Sequence, residues 1–285
     1  MGYDIEASPH LGYRLISAPD LLHADDLHSR LGHTQVVGRD IRVFERTTST
    51  NDIISRLARD GIKEGAVVFA ESQSKGRGRL GRLWVSPPRK GLWFSTLLRP
   101  DLSPQAATQI TVAAATAMTR AIELQTGLVP EIKWPNDILI RGKKVSGILT
   151  ELSAELDHVK EIVLGIGVNV NIESADLPTD LRKIATSLRI ESSQPVDRAE
   201  LAVTIMRELD RDYDRIRHGQ FEAVVAEWRE RCTTLGRDVA IRVGDRVIRG
   251  RAESLDADGA LLVRSQHGHL ERVIGGDVAL EKTVT

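Results

Sequence analysis

Residues 129–171 read VPEIKWPNDILIRGKKVSGILTELSAELDHVKEIVLGIGVNVN. Three strand signals stand in this stretch, VPEIKWPNDILI, KVSGILTEL and EIVLGIGVNVN, separated by short polar or glycine-containing breaks. Breaks of that length allow hairpins but leave no room for the helix that a parallel crossover needs. The stretch therefore predicts antiparallel neighbours, and the chain an α+β fold rather than a doubly wound one.

Upstream, PQAATQITVAAATAMTRAIELQ is alanine-rich and apolar-periodic, and predicts a long core helix from Ser103 to about Gln125, with Pro104 at its first position. GAVVFAES and GLWFSTLLRP read as strands, and so does VGRDIRVFER. A short helix is expected within Leu21 to Leu31. A second runs from about Asn51 to Asp60, capped by Ser49 or Thr50 and closed by Gly61. At the start of the chain, YDIEAS and GYRLIS form a hairpin through Pro9, His10 and Gly12. Downstream, Ile172 to about Arg189 is polar and residues 197–232 are helical. From Leu235 onward short alternating runs make a small all-β unit, so a boundary falls near Thr234 to Gly236. The division expected is 1–20, 21–234 and 235–285.

Composition bounds the function. The 285 residues carry 39 Lys and Arg against 40 Asp and Glu, a net charge of -1, so no global field favours nucleic acid and anion binding must be local. No segment approaches the ~18 apolar residues of a membrane span, and no secretory leader precedes the first strands, so a cytoplasmic location is expected. Cys232 is the single cysteine, which excludes an intrachain disulfide or a cysteine-based zinc cluster.

Gly76-Arg77-Gly78-Arg79-Leu80-Gly81 matches the dinucleotide-binding pattern literally, but Trp84-Val85-Ser86-Pro87-Pro88 follows where that pattern needs a helix. What survives is physical: closely spaced glycines let backbone N–H groups approach an anion, and Arg77, Arg79 and Arg82 add charge. Lys133-Trp134-Pro135-Asn136-Asp137 places a cation, an aromatic plane, an amide and a carboxylate within five residues. Lys144 follows a tight turn that brings it near this segment if the two form a hairpin. Gly165-Ile166-Gly167-Val168-Asn169-Val170-Asn171 combines close backbone approach with amides able to pair with a base edge.

The ordered set TSTND, ESQSKGRGRLGRLW, GLWFSTLLRP, KWPNDILI, KKVSGILTEL and GIGVNVN closely resembles the biotin protein ligase family over most of residues 1–281. The resemblance implies a mixed-sheet catalytic domain like that of class II aminoacyl-tRNA synthetases, followed by a small SH3-like β-barrel. It also implies an activity, with ATP and Mg²⁺ as cofactors: biotin joined to AMP, then passed to a lysine of a biotin carboxyl carrier protein domain of acetyl-CoA carboxylase type. By the same resemblance Ser49, Thr50, Asn51, Gln73, Arg77, Gly78, Arg79 and Lys144 line the biotin end. Lys144 and Arg79 are catalytic. Arg79, Arg82, Trp84, Lys133, Asn136, Asp137 and Asn169 serve the ATP or adenylate side, with Asp137 toward the metal. Leu80 departs from relatives that carry arginine there.

Two alternatives stand beside this reading. A lipoate–protein ligase shares the domain type, although GRGRLGRLW with KWPND favours biotin. A biotin-responsive DNA-binding repressor would need a winged helix, of which YDIEASPHLGYRLIS, with Tyr3, Asp4, Glu6, His10 and Arg14, resembles only the wing. With no helices before that wing and an acidic excess up to Arg30, specific DNA binding is not expected. A homodimer is left open.

Overall fold

The computed structural model describes residues 4–8, 12–17 and 20–280; Tyr3, Pro9 and His10 of the expected wing lie outside the described residues. Strands β1 (Asp4–Ser8) and β2 (Gly12–Ser17) pair antiparallel, with Glu6 opposite Arg14. Helix α1 (Ala24–Leu31) follows.

A seven-stranded mixed sheet forms the centre. Its strands are β3 (Asp40–Phe44), β4 (Ala66–Ala70), β5 (Gly91–Leu98), β6 (Glu131–Lys133), β7 (Asp137–Ile140), β8 (Lys143–Glu155) and β9 (His158–Asn169). The spatial order is β3-β4-β5-β9-β8-β7-β6, and only the β3–β4 pair is parallel. The strands of 129–171, β6 to β9, are antiparallel neighbours, as the short breaks in that stretch predicted.

Period-2 alternation sorts the two faces of this sheet. Leu92, Phe94, Leu164, Ile166 and Val168 face a helical layer made of α1, α3 (Thr108–Thr126), α5 (Arg198–Arg217) and α6 (Phe221–Arg231). α3 opens with Ser103 accepting from Ala106 N and Pro104 at the first position of a 3₁₀ turn, and it closes on Gly127 in the left-handed region. Its buried alanines at 113, 114, 115, 117 and 121 let it lie close against its neighbours. The opposite face carries α2 (Thr50–Arg59), whose Ile54 and Ala58, one turn apart, pack on Val68, Leu97 and Val163. The remainder of that face is left open for a ligand.

Two expectations change in detail. VPEIKWPNDILI is two strands, β6 and β7, joined by a turn at 134–136, because Pro135 lacks the N–H that a continuous ladder needs. The helical stretch 197–232 is broken at 218–220, where Gly219 takes a φ of +69°. The glycine- and proline-rich 74–90 segment contains one 3₁₀ turn, Arg79–Gly81. A short helix, α4 (Leu188–Ser192), lies in the polar region before α5.

The C-terminal unit is a five-stranded antiparallel sheet of β10 (Asp238–Val243), β11 (Arg246–Leu255), β12 (Leu261–Arg264), β13 (Leu270–Val273) and β14 (Asp277–Leu280), in the order β13-β12-β11-β10-β14. Val239, Ile241, Ala252, Leu261 and Val263 bury its inner face. Gln109 at the start of α3 donates to Ala257 O at 2.9 Å, and Trp134 N donates to Thr234 Oγ1 at 3.1 Å, so the unit is fastened to α3 and its start to the β6–β7 turn. No described helix is long and apolar enough to cross a membrane.

Candidate active site

The cavity lies on the open face of the central sheet, beside α2, and holds about 420 Å³. Its floor follows from strand register. Gly91, Trp93 and Ser95 of β5 stand opposite Asn169, Gly167 and Gly165 of β9, and Gly147 and Leu149 of β8 stand opposite Gly167 and Gly165. Directly paired residues share a face, so three glycines meet at the centre. A Cβ on Gly167 would lie 2.5 Å from the Trp84 indole, and one on Gly147 2.9 Å from it. The glycines thus give the indole a flat seat on the sheet, where it also meets Trp93 edge-on at 6.3 Å.

All the residues expected at the site line this one cavity: Ser49, Thr50, Asn51, Gln73, Arg77, Gly78, Arg79, Arg82, Trp84, Lys133, Asn136, Asp137, Lys144 and Asn169. At one end the start of α2 provides polar groups. Ser49 is its N-cap by backbone conformation but makes no side-chain capping bond. Thr50 N donates to Gln73 Oε1 at 2.9 Å, and Ser95 Oγ lies 2.7 Å from Thr50 Oγ1 and 2.5 Å from Asn51 Oδ1. Ser49, Thr50, Asn51 and Ser95 are buried, so their donors and acceptors are held in fixed directions.

Cations gather at the other end. Lys144 Nζ lies 2.6 Å from Asp137 Oδ1 and 5.2 Å from the Trp84 ring centroid. The hairpin of β7 and β8 places it there: Arg141 and Gly142 both take positive φ, the two-residue turn suited to a tight hairpin. A bulge then leaves Val145 unpaired, and this re-aims Lys144 onto the face that Gly147 occupies. Arg79 Nη1 donates to Asn136 Oδ1 at 3.2 Å, while Asn136 Nδ2 donates to Ile148 O at 2.8 Å. Burial holds the Arg79 guanidinium below its usual pKa, against the pull of Asp137 and Asp277. It stays charged, since the guanidinium is protonated throughout the physiological range. Arg77 differs in being bound by carboxylates, and its pKa is raised, first by its hydrogen bond to Glu151. Asn169 Nδ2 donates to Thr186 O at 2.9 Å, which fixes the direction of its amide. Residues 76–78 and 82–84 close the arginine loop on itself, with Gly78 N donating to Arg82 O at 2.7 Å and Trp84 N to Gly76 O at 2.9 Å.

Sequence reasoning missed two walls. Ile172, Leu177, Leu181, Ile184 and Ala185 line the cavity from the segment read only as polar. That segment is tied to Lys144 itself, whose N donates to Ile184 O at 2.8 Å and whose O accepts from Thr186 N at 2.9 Å. The other wall comes from the C-terminal unit. Gly276, Asp277 and Val278 reach the cavity, Arg82 pairs with Asp277, and Arg79 Nη1 lies 3.5 Å from Gly276 O. The periodic placing of apolar residues at 177, 181 and 184 was a usable signal for the first wall. None existed for the second.

Such an arrangement, with fixed polar groups at one end of a cavity and cations around a carboxylate at the other, suits a reaction that brings two anions together. Comparison with known proteins agrees. Residues 43–169 match the biotin/lipoate A/B protein ligase family, and residues 234–280 match the biotin protein ligase C terminal domain. The bifunctional ligase/repressor BirA of Bacillus spizizenii is 38% identical over 280 residues, covering 98% of this chain and 85% of that protein. The biotin--[acetyl-CoA-carboxylase] ligase of Paracoccus denitrificans is 35% identical over 230 residues, covering 79% and 95%. The structure of the biotin protein ligase from Aquifex aeolicus in complex with biotin and ATP is similar at a TM-score of 0.73 and 28% identity, covering 86% of this chain and all of that one. The chain belongs to the biotin protein ligases of the biotin/lipoate A/B protein ligase family.

Proposed function

We propose that the chain activates biotin with ATP and transfers the biotinyl group to a specific lysine of a biotin carboxyl carrier protein domain of acetyl-CoA carboxylase type. In the first step a biotin carboxylate oxygen attacks the α-phosphorus, the bond to the β,γ-phosphates breaks, and pyrophosphate leaves with its electron pair. In the second the carrier's lysine amine attacks the carbonyl carbon of biotinyl-5'-AMP, and AMP leaves. The observation that carries this reading is the cavity's polarity. Thr50, Asn51 and Gln73 suit a neutral, hydrogen-bonding ring at one end, and Lys144, Arg79 and Arg82 suit the carboxylate and phosphates at the other.

A carboxylate is ionised at neutral pH, so the first step needs alignment and charge neutralisation but no general base. Lys144 and Arg79 are assigned to the reacting oxygens, Arg82, Lys133 and Asn136 to the phosphates, and Asn169 to the adenine edge. Trp84 covers the adenylate and excludes water. Among the described residues no group of three metal-ligating side chains exists, and Asp137 and Asp277 are the carboxylates lining the cavity. Such a site suits Mg²⁺ that enters on the triphosphate with Asp137 as its protein contact, and the ion would neutralise phosphate charge. In this scheme residues 21–234 bind the substrates, and the C-terminal unit closes the cavity from outside through residues 276–278.

The deciding experiment is mass spectrometry of a purified carrier domain after incubation with the chain, biotin, ATP and Mg²⁺. Gain of one biotinyl group is expected; no gain, or a gain with lipoate in place of biotin, would overturn the reading. A second reading, a biotin-responsive repressor, is favoured by the BirA relative, whose match extends over 98% of this chain. A gel-shift titration with and without biotinyl-5'-AMP separates it, specific retardation of a biotin-synthesis promoter being the positive result.

A further inference from the structure

Arg77 opens the arginine loop, yet its guanidinium is taken up by two carboxylates. Nε and Nη2 each donate to Glu151 at 3.1 Å, and Nη1 donates to Asp52 Oδ1 at 2.6 Å. The same Glu151 carboxylate accepts from Asn51 Nδ2 at 2.7 Å. A carboxylate only accepts, so Glu151 determines which way the Asn51 amide faces: nitrogen toward Glu151, oxygen toward the Ser95 hydroxyl. Gly165 makes room for this, since a Cβ there would lie 2.2 Å from Asn51 Oδ1.

The hydrogen bonds continue to the far end of the loop. Thr50 N donates to Gln73 Oε1, Gln73 Nε2 donates to Ser86 Oγ at 3.0 Å, and Ser86 Oγ donates to Trp84 O at 3.3 Å. Both ends of the arginine loop, Arg77 and Trp84–Ser86, are therefore fastened to the first turn of α2, where the polar end of the cavity begins.

We propose that Glu151 is a positioning residue for retention of biotinyl-5'-AMP: by clasping Arg77 and Asn51 together it holds the arginine loop closed and leaves the second Asn51 N–H for the ligand. This deepens the ligase reading above and rests on it. Arg77 then acts as a hinge pin, and the charge that meets the phosphates comes from Arg79, Arg82 and Lys144. Contact of a ligand with Asn51 is felt at the loop through one shared carboxylate.

Glu151→Gln preserves size but turns one oxygen into an N–H donor facing the N–H groups of Arg77 and Asn51. Three variants, Glu151→Gln, Arg77→Ala and the double substitution, are compared with the parent chain, and thermal melting confirms that each folds. In the protein alone, hydrogen exchange of backbone amides 76–86 is expected to quicken at least tenfold in Glu151→Gln. Biotinyl-5'-AMP is expected to dissociate at least tenfold faster, while pyrophosphate release at saturating biotin and ATP changes less than threefold. The double variant is expected to match Arg77→Ala, because both changes open the same clasp. Unchanged loop exchange in Glu151→Gln, or additive effects in the double variant, would overturn the proposal. Should the parent chain form no biotinyl-5'-AMP, the ligase reading fails, whereas the exchange measurement still decides the role of Glu151.

Discussion

Lys144 and Asp137, seven residues apart in sequence, meet across one hairpin with Nζ 2.6 Å from Oδ1. The pair is partly exposed, and it gives the lysine a fixed place beside Trp84 before any anion competes for it. In the proposed reaction, phosphate oxygens entering the cavity would take the place of Asp137 at a lysine already held in position.

Lys144→Ala removes a placed cation from a position that is not part of the core. The fold is expected to persist, with adenylate formation lowered by about 10²–10³-fold, the range for losing one oriented electrostatic contact. Pyrophosphate release under single-turnover conditions measures it. A stable variant with near-parental rates would take Lys144 out of the chemistry.

Gly167→Ala puts a methyl group where the Trp84 indole lies. The indole must lift, at a cost of about 1–3 kcal/mol if the strand holds its place. Trp93, Trp134 and Trp228 are all at least 97% buried, so a red shift in tryptophan emission reports Trp84. The shift is expected together with faster loss of adenylate. An unshifted spectrum would mean that the indole does not rest on this glycine.

Arg198 is fully buried and joins three parts of the chain. It donates to Glu71 Oε2 at 2.7 Å, to Gly91 O at 3.1 Å and to Asp20 Oδ1 at 2.9 Å, while Glu71 Oε1 also accepts from Leu22 N. Arg198→Met strands the Glu71 charge and is expected to lower stability by about 3–5 kcal/mol. Adding Glu71→Met should recover part of this loss. Urea unfolding at constant m tests the pair, and a double variant less stable than Arg198→Met alone would refute the argument.

Burial pushes the Cys232 thiol pKa up. At pH 8 the native protein therefore carries less thiolate than a free cysteine, and alkylation by iodoacetamide is expected to be at least tenfold slower than in urea, rising as pH approaches the elevated pKa. Mass spectrometry of the alkylated chain follows it. Equal rates in the two states would show an accessible, reactive thiol.

What could be read in the sequence was what local geometry decides. The turn at Arg141-Gly142 is short enough that spacing alone brought Lys144 to the KWPND segment. Alternation in GIGVNVN marked a strand that glycines flatten on one face. Other contributions depended on distant contacts. The Val145 bulge decides where Lys144 points, yet nothing in KKVSG announces it. Glu151 reads as a solvent-facing strand residue until Arg77, 74 positions earlier, folds onto it. The spacing of Leu177, Leu181 and Ile184 marks an apolar face, but that this face walls the cavity depends on its backbone bonds to Lys144. The proline in KWPND was in plain view, and its missing N–H was reason enough to expect two strands there.

The contribution of Gly276, Asp277 and Val278 to the cavity bears on the order in which the protein is made. Ribosomes release a chain from its first residue onward, so the central sheet, α2 and the arginine loop all emerge before the last strand does. A nascent chain with these parts already folded still has a cavity open along the side that Asp277 covers, and Arg82 has yet to meet its carboxylate. Biotin could enter such a chain, but the wall that retains its activated form arrives with β14. In the proposed reaction, retention of the reactive mixed anhydride would therefore wait for β14 to emerge.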